Sequence, residues 1–201
     1  MTKIIVIKVG SCVLLTRRDR LDEFRIANLA SQIAALKELG FSVVLIVSGA
    51  VACGSKVISL ESSLARRAAS GIGQIELINT VSRICQEKKI SVSQILLTVN
   101  DINDDFKAVV EFYLDHGVIP VLNENDVIAL NCFGGNDFLA VRVASLLNAQ
   151  QVLMLSTMEG SGYGVGGRDS KLEAVRQLRN QGIKTNIVDG KRQNVIIKSI
   201  I

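Results

Sequence analysis

The chain has 201 residues, of which 48% are hydrophobic and 21% charged, a composition typical of a globular domain and not of a disordered segment. No apolar run reaches the roughly 18 residues that a membrane-spanning helix needs, and the pattern of a secretory signal is missing. The net charge is +4, the Lys and Arg residues are scattered and aromatic residues make up 4%, which argues against a dedicated nucleic-acid surface. We therefore expect a cytoplasmic protein that binds neither membranes nor nucleic acid.

Patterns typical of strands and helices alternate along the chain. In chain order we predict a strand at 3–9, a helix at 22–39, a strand at 41–49, a helix at 63–88, a strand at 90–98, a helix at 106–116, a strand at 117–126, a helix at 137–149, a strand at 149–157, a helix at 170–181 and a strand at 182–190. The strand segments are apolar on both faces, as in a parallel sheet covered by helices. The predicted fold is therefore α/β, a mainly parallel sheet sandwiched by helices, in one domain over residues 1–201.

A lysine stands at the end of the first predicted strand. In "KIIVIKVGSCVL" the apolar residues Ile4 to Ile7 run directly into Lys8, and a Gly10-Ser11 turn follows. Such a lysine can simply extend its ammonium group past the sheet edge into solvent. The alternative is an anionic ligand, held by the lysine and by the backbone N–H groups that the glycine turn exposes.

Polar residues also follow other predicted strands, at 48–49, 123–126 and 156–157. Because ligands of such folds collect outside the carboxyl ends of parallel strands, these residues and Lys8 are candidates for one site. Within "NEND" (123–126), Asp126 could accept hydrogen bonds from an ammonium group, and within "GND" (135–137), Asn136 could fix a carboxylate or phosphate. Taken alone, each cluster is more simply explained as a solvated turn.

The glycine-rich stretch "GSGYGVGGRDSKL" (160–172) leads into a predicted helix. The backbone N–H groups of its last four glycines could point at phosphate oxygens, and the helix N-terminus would add a favourable dipole. The stretch matches neither G-x-x-x-x-G-K-[ST] nor G-x-G-x-x-G, and a flexible surface loop explains the pattern equally well. Lys171 favours a phosphate site, because a cation supplies the charge that the neutral backbone lacks.

Phosphoryl transfer is the reaction that these residues fit best. It needs cations to spread the developing charge, glycine amides to hold phosphates, and carboxylates to organise the cations and Mg²⁺. Lys8 and Lys171 would supply two cations, and Asp137 would hold them in place. A single histidine, His116, argues against a Ser-His-Asp triad, and four cysteines without a C-x-x-C pair argue against a zinc site.

Taken together, the motifs resemble the glutamate 5-kinase (gamma-glutamyl kinase) family of the amino acid kinase superfamily. The matching elements occur in the family's order and cover nearly the whole chain: "KVGSCVL" (8–14), "VSGAVACG" (47–54), "SGIGQIELI" (70–78), "ILLT" (95–98), "NENDVIA" (123–129), "GND" (135–137) and "SGYGVGGRDSKL" (161–172). The Ser-Gly-Ala after the second strand and the NEND element distinguish this family from the aspartate, acetylglutamate and uridylate kinases.

The resemblance implies a reaction and a site. The reaction would be the ATP-dependent phosphorylation of the L-glutamate γ-carboxylate to L-glutamyl 5-phosphate, the first step of proline biosynthesis, with Mg²⁺ accompanying ATP. Lys8, Lys171 and Asp137 would be catalytic, and no residue is assigned as a metal ligand. The glutamate-binding positions would be Ser48, Asp126 and Asn136. The nucleotide-binding positions would be Lys8, Gly10, Ser156, Thr157, Gly164, Val165, Gly166, Gly167, Arg168, Asp169 and Ser170.

The resemblance also bears on domain organisation and partners. Residues 1–148 would form an N-terminal lobe on the amino-acid side, and residues 149–201 a C-terminal lobe on the nucleotide side. The RNA-binding-like C-terminal module of many relatives is not expected here. The family forms dimers or tetramers, so we expect a homo-oligomer, with proline a possible feedback inhibitor.

The chain departs from the usual family pattern at several positions. It has Gly135 in place of one aspartate, Thr157 in place of another, and Val165 and Arg168 in place of threonine and methionine. It is also shorter after Asp105, between the NEND and GND elements, and between Gly160 and Ser161. Either these loops are short in this protein or loop residues are missing from the sequence, and we favour missing residues because substrate loops are mobile.

Two alternative functions stay open from the sequence. The first is another amino acid kinase, acting on a carbamate or an acyl-amino acid. The second is a non-catalytic module that senses an amino acid or a nucleotide, which the missing acidic group at Gly135 and the short loops motivate.

Overall fold

The computed structural model describes residues 3–157 and 167–201. Within them, the strands are β1 (Lys3–Val9), β2 (Phe41–Val47), β3 (Val92–Leu97), β4 (Ile119–Glu124), β5 (Gln151–Ser156) and β6 (Lys184–Asp189). They form one six-stranded sheet in the order β3-β4-β2-β1-β5-β6, and every neighbouring pair in it is parallel. The predicted parallel α/β fold is confirmed.

The helices in the described ranges are α1 (Ser11–Leu14), α2 (Glu23–Glu38), α3 (Ala50–Gly54), α4 (Ser63–Glu87), α5 (Asp104–Asp115), α6 (Asn136–Leu146), α7 (Arg168–Asn180) and α8 (Val195–Ile200). The five predicted helices are all present, and three of them begin at side-chain caps: Asp22, Ser62 and Asn103 accept a hydrogen bond from a backbone N–H of the first turn. The prediction missed α1, α3 and α8, because helices of four to six residues are too short to show a period. None of these helices combines the length and apolar character needed to cross a bilayer.

Alternate residues of the central strand β1 enter two apolar layers on opposite sides of the sheet. Ile5, Ile7 and Val9 belong to the layer that contains residues of α2, α4 and α8. Val6 belongs to the layer that contains residues of α5, α6 and α7. Because side chains two residues apart lie on the same face of a strand, Lys8 points to the side of α6 and α7.

The structure describes two of the three places where the chain is shorter than the family pattern. Helix α5 runs uninterrupted past Asp105. At its start, the side chain of the capping residue Asn103 accepts a hydrogen bond from the backbone N–H of Phe106 at 3.0 Å. Asp126 Oδ1 accepts from the backbone N–H of Asn131 at 2.9 Å and closes a compact turn between the NEND and GND elements. At both places the described chain is continuous, and our expectation that loop residues are missing from the sequence stays a prediction. The third place, at Gly160-Ser161, lies outside the described residues.

Helices α3 and α4 touch at two glycines. A Cβ atom on Gly54 would lie 1.8 Å from the carbonyl oxygen of Ala69, and one on Gly73 would lie 1.9 Å from that of Ala50. Only glycine allows the backbones to approach so closely. This contact holds the segment after β2 against α4, next to Gln74 and the site described below.

Candidate active site

Two lysines meet on one buried aspartate. The Lys8 Nζ atom lies 2.7 Å from Asp137 Oδ1, and the Lys171 Nζ atom lies 3.4 Å from Asp137 Oδ2. The Asp137 side chain is 2% exposed, the Lys8 side chain 6% and the Lys171 side chain 15%. The Lys8 contact is an ion pair that lacks the angles of a well-directed hydrogen bond. The carboxylate thus bridges two ammonium groups in a site that is largely shielded from water.

The three residues come from three elements that the fold brings together. Lys8 is at the carboxyl end of β1, Asp137 is in the first turn of α6, and Lys171 is in the first turn of α7. Gly135, with φ of 110°, turns the chain into α6 in a conformation that favours glycine. A negative charge in a first helical turn interacts favourably with the helix dipole, so α6 itself stabilises the ionised Asp137.

A chain of side-chain amides borders this ion-pair cluster. Asn136 Nδ2 donates to Asn123 Oδ1 at 2.9 Å and to Ser48 Oγ at 3.0 Å. Asn123 Nδ2 donates in turn to Gln74 Oε1 on α4 at 2.9 Å. Asn136 is the neighbour of Asp137 in sequence, so the amide chain and the ion-pair cluster share one helix start and are held in a fixed relation.

A cavity of about 380 Å³ opens beside the amide chain, between α4 and the carboxyl ends of β3 and β4. Its polar wall includes residues of α4, of the end of β4 and of the segment after β4, among them Ser70, Gln74, Glu124, Asn125 and Asp126. Its apolar wall includes Ile75 and Leu96. A volume of this size with a few convergent polar groups is suited to a small polar molecule.

Both carboxyl groups of the cavity hold their protons more tightly than usual. Burial raises the pKa of Glu124 to about 7, with a further contribution from the charge of Asp126, while the backbone amides of Phe133 and Gly135 and the ammonium group of Lys8 lower it. Burial also raises the pKa of Asp126, against a smaller lowering by the Asn131 amide. Each carboxylate would therefore be stabilised by a cation in the cavity.

The predicted nucleotide side lies at the ends of β1, β5 and α7. The backbone N–H of Gly10 donates to the carbonyl of Leu155 at 3.0 Å, which ties the turn after β1 to β5. Ser156 ends β5 and is buried, and Thr157 follows it. At the start of α7, Ser170 Oγ donates to the carbonyl of Gly167 at 3.0 Å, and Asp169 is exposed. Gly164, Val165 and Gly166 lie outside the described residues, as does the side chain of Arg168.

The structure brings most of the predicted site residues to one edge of the sheet. Lys8, Lys171 and Asp137 form one cluster, Asn136 and Ser48 are hydrogen-bonded beside it, and Asp126 lines the cavity. Of the same site, sequence reasoning missed Gln74, and it named Asn123 and Glu124 only within the polar cluster 123–126, without a role for either. All three lie inside motifs already identified, "SGIGQIELI" and "NENDVIA", but their hydrogen bonds and burial depend on tertiary contacts.

Metal binding is not supported by a dedicated set of protein ligands. Residues 3–157 and 167–201 contain no group of three or more His, Cys, Asp or Glu side chains placed to hold a metal ion. Both oxygens of Asp137 face lysines. The cluster places two ammonium groups beside one carboxylate, an arrangement that can attract an anion.

Comparisons with known proteins identify the family to which the chain is similar. The model of the amino acid kinase family matches residues 3–163. The glutamate 5-kinase of Bacteroides thetaiotaomicron is 32% identical over 235 aligned positions, which cover 96% of this chain and 65% of that protein. The glutamate 5-kinase of Thermus thermophilus is 33% identical over 240 positions, which cover 98% of this chain and 65% of that protein.

The same relatives show a difference in length. This chain spans about 65% of the length of both. Each aligned stretch is also longer than the 201 residues of the whole chain, so the relatives carry internal residues that have no counterpart here.

A solved structure supports the fold. The crystal structure of UMP kinase from Ureaplasma parvum superposes with a TM-score of 0.69, covering all of this chain and 95% of that chain. The sequence identity is 12%, so this likeness concerns the fold alone. With a family match over most of its length and the same sheet architecture, the chain belongs to the amino acid kinase family.

Proposed function

We propose that this chain is a kinase that transfers the γ-phosphoryl group of ATP to the side-chain carboxylate of L-glutamate. The observation that carries the proposal is the pair of lysines, Lys8 and Lys171, held on opposite oxygens of the buried Asp137. The curated relatives named glutamate 5-kinase support the choice of substrate.

The proposed mechanism follows from the charges. A γ-carboxylate of L-glutamate is ionised at neutral pH, since its ordinary pKa is about 4.3, so the nucleophile needs no general base. One of its oxygens forms a bond to the γ-phosphorus of ATP while the bond from that phosphorus to the β,γ-bridging oxygen breaks, which releases ADP. Lys8 and Lys171 would stabilise the charge on the transferring group and on the leaving oxygen. Asp137 would keep both ammonium groups in position before ATP binds.

The substrate would lie at the carboxyl ends of β2 and β4. Asp126 would accept from the ammonium group of glutamate, and Ser48 and Asn136 would hold a carboxylate. The nucleotide would lie over Gly10, Ser156, Thr157 and the start of α7. In this arrangement residues 1–148 carry the amino acid and also contribute Lys8 and Gly10 to the nucleotide site, and residues 149–201 carry the rest of the nucleotide site.

Mg²⁺ would enter as the counterion of the ATP phosphates. It would neutralise charge on the polyphosphate, and we assign no protein side chain as its ligand because the described carboxylates form no ligand set. A homo-oligomer, inhibition by proline and a cytoplasmic location stay predictions. Sedimentation and assays with added proline would test the first two.

The test is a direct assay of the purified protein. With L-glutamate, ATP and Mg²⁺ we expect glutamate-dependent release of ADP, and hydroxylamine should trap the acyl phosphate as its hydroxamate. Carbamate and N-acetyl-L-glutamate serve as competing acceptors and should give little ADP. Calorimetric binding of L-glutamate without any ADP release would contradict the kinase and favour a sensing module.

A further inference from the structure

Glu124 is a buried carboxylate that the proposed mechanism does not use. It is the last residue of β4, it is 4% exposed, and it lines the cavity beside Asp126. Neither of its side-chain oxygens completes a hydrogen bond within the described part of the chain. A buried charge without partners is expensive, so such a group is kept where a ligand supplies the missing partner.

The neighbouring groups of the protein do not supply that partner. The ammonium group of Lys8 acts on Glu124 only as a weak stabilising charge, because it is held by Asp137 at 2.7 Å. The backbone amides of Phe133 and Gly135 lie near the carboxyl group but outside hydrogen-bonding geometry. Gln74 on α4 also lines the cavity, but its side chain is neutral and makes no hydrogen bond to Glu124.

The Glu124 carboxylate therefore lacks a positively charged partner, and a cation bound in the cavity would supply it. Glu124 and Asp126 both line the cavity, burial raises the pKa of both, and the charge of Asp126 raises the pKa of Glu124 further. An ammonium group has three N–H donors and a full positive charge, so it can serve two carboxylates at once. A neutral N-acylated amine has one donor and no charge, so it would leave at least one carboxylate without a donor and both without a compensating charge.

We propose that Glu124, together with Asp126, is a specificity-determining residue that binds the free ammonium group of the amino acid substrate. The inference rests on the proposed function and adds the reason why the site takes an unmodified amino acid. Sites with buried polar groups reject analogues that leave those groups unpaired far more strongly than apolar pockets reject a change of size. N-acylated amino acids should therefore be excluded even though the cavity has room for a small molecule.

The first test is Glu124→Gln, which keeps the size of the side chain and removes its charge. We expect the KM for L-glutamate to rise about 10- to 100-fold with kcat changed less than about threefold, since a charged hydrogen bond to the substrate is lost in the ground state and transition state alike. The discrimination against N-acetyl-L-glutamate should fall by a similar factor. The control is Glu111→Gln on the outer face of α5, which removes the same charge from an exposed side chain and should leave both constants unchanged.

The second test uses proton linkage and needs no turnover. Binding an ammonium group requires the ionised form of Glu124, so calorimetric affinity for L-glutamate should fall about tenfold per pH unit below pH 7 and level off above it. The titratable groups that act near Glu124 are Asp126, Cys132 and Lys8. In Glu124→Gln the pH dependence around 7 should flatten.

The third test checks the burial of the Glu124 carboxyl group in the protein without ligand. The pKa of Glu124 is raised, so between about pH 4.5 and 7 the folded protein holds a proton that the unfolded chain has released, and stability falls as pH rises through this window. In Glu124→Gln this fall in stability with rising pH should be absent. Without ligand, its Tm relative to the unmodified protein should therefore be higher at pH 8 than at pH 5, and an equal difference at the two pH values would contradict the buried, ligand-free carboxyl group on which the proposal rests.

The outcomes distinguish the two proposals. If the unmodified protein forms no glutamate-dependent ADP, the kinase proposal fails, and the calorimetric pH dependence still decides whether Glu124 binds the amino acid. If the unmodified protein is active and Glu124→Gln keeps the KM, the affinity and their pH dependence, the role of Glu124 is overturned while the kinase stands.

Discussion

The ion-pair cluster makes Asp137 the residue whose charge the site depends on most. Asp137→Asn keeps the size of the side chain and removes the carboxylate from between Lys8 and Lys171. With an effective dielectric constant of about 20, the Coulomb attraction lost is about 6 kcal/mol for Lys8 at 2.7 Å and about 5 kcal/mol for Lys171 at 3.4 Å. These values do not include desolvation. Desolvation of the three groups offsets part of this, and breaking a buried pair costs about 3–5 kcal/mol net.

The assay is urea unfolding of the protein without ligand at pH 7. With an m value of about 2–3 kcal/mol/M for a chain of this size, the loss corresponds to a fall of about 1–2.5 M in the unfolding midpoint. Inorganic tripolyphosphate should bind the variant more tightly than the unmodified protein, because two ammonium groups are left without their shared carboxylate. Saturating tripolyphosphate should therefore reduce the stability difference.

The matched control is Asp189→Asn. Asp189 also ends a strand and faces a cation, but its partner Arg192 is 79% exposed, so the pair should contribute less than about 1 kcal/mol. Our account of the cluster is refuted if Asp137→Asn changes the free energy of unfolding no more than this control does.

Three further predictions concern catalysis, packing and thiol reactivity. Lys171→Ala should lower kcat about 10²- to 10³-fold with the circular dichroism spectrum preserved; an unchanged kcat would remove Lys171 from the mechanism. Gly73→Ala should destabilise the protein by about 1–3 kcal/mol or more, because its Cβ would lie 1.9 Å from a backbone oxygen, whereas Gly167→Ala meets open space and should cost less than about 0.5 kcal/mol in urea unfolding. In native protein at pH 8 a thiol reagent should label the half-exposed cysteines first, and equal rates for all four would contradict the structure, since burial raises the pKa of both buried thiols to about 11. The half-exposed thiols are Cys12 and Cys132, and the buried ones are Cys53 and Cys85.

The sequence alone determined the order and type of the main elements. Apolar runs such as Ile4 to Ile7 mark the strands because both faces of a parallel sheet are buried, and the period of α2 marks a helix with one apolar side. The positions of Lys8, Asp126 and Asp137 at strand and helix ends could also be predicted, because the carboxyl ends of parallel strands share one edge. These are local rules, and each can be applied without knowing which strands are neighbours.

Only the tertiary structure decided how these residues meet. Lys8 and Lys171 are separated by most of the chain, and their contact with one carboxylate depends on the position of β1 in the sheet and on the starts of α6 and α7. Glu124 shows the same limit. In the sequence it is one acidic residue in a polar turn, and only the packing of β4 against its neighbours buries it beside Asp126 and raises its pKa. Burial and the distance between charges are properties of the folded chain, so no local pattern could have predicted them.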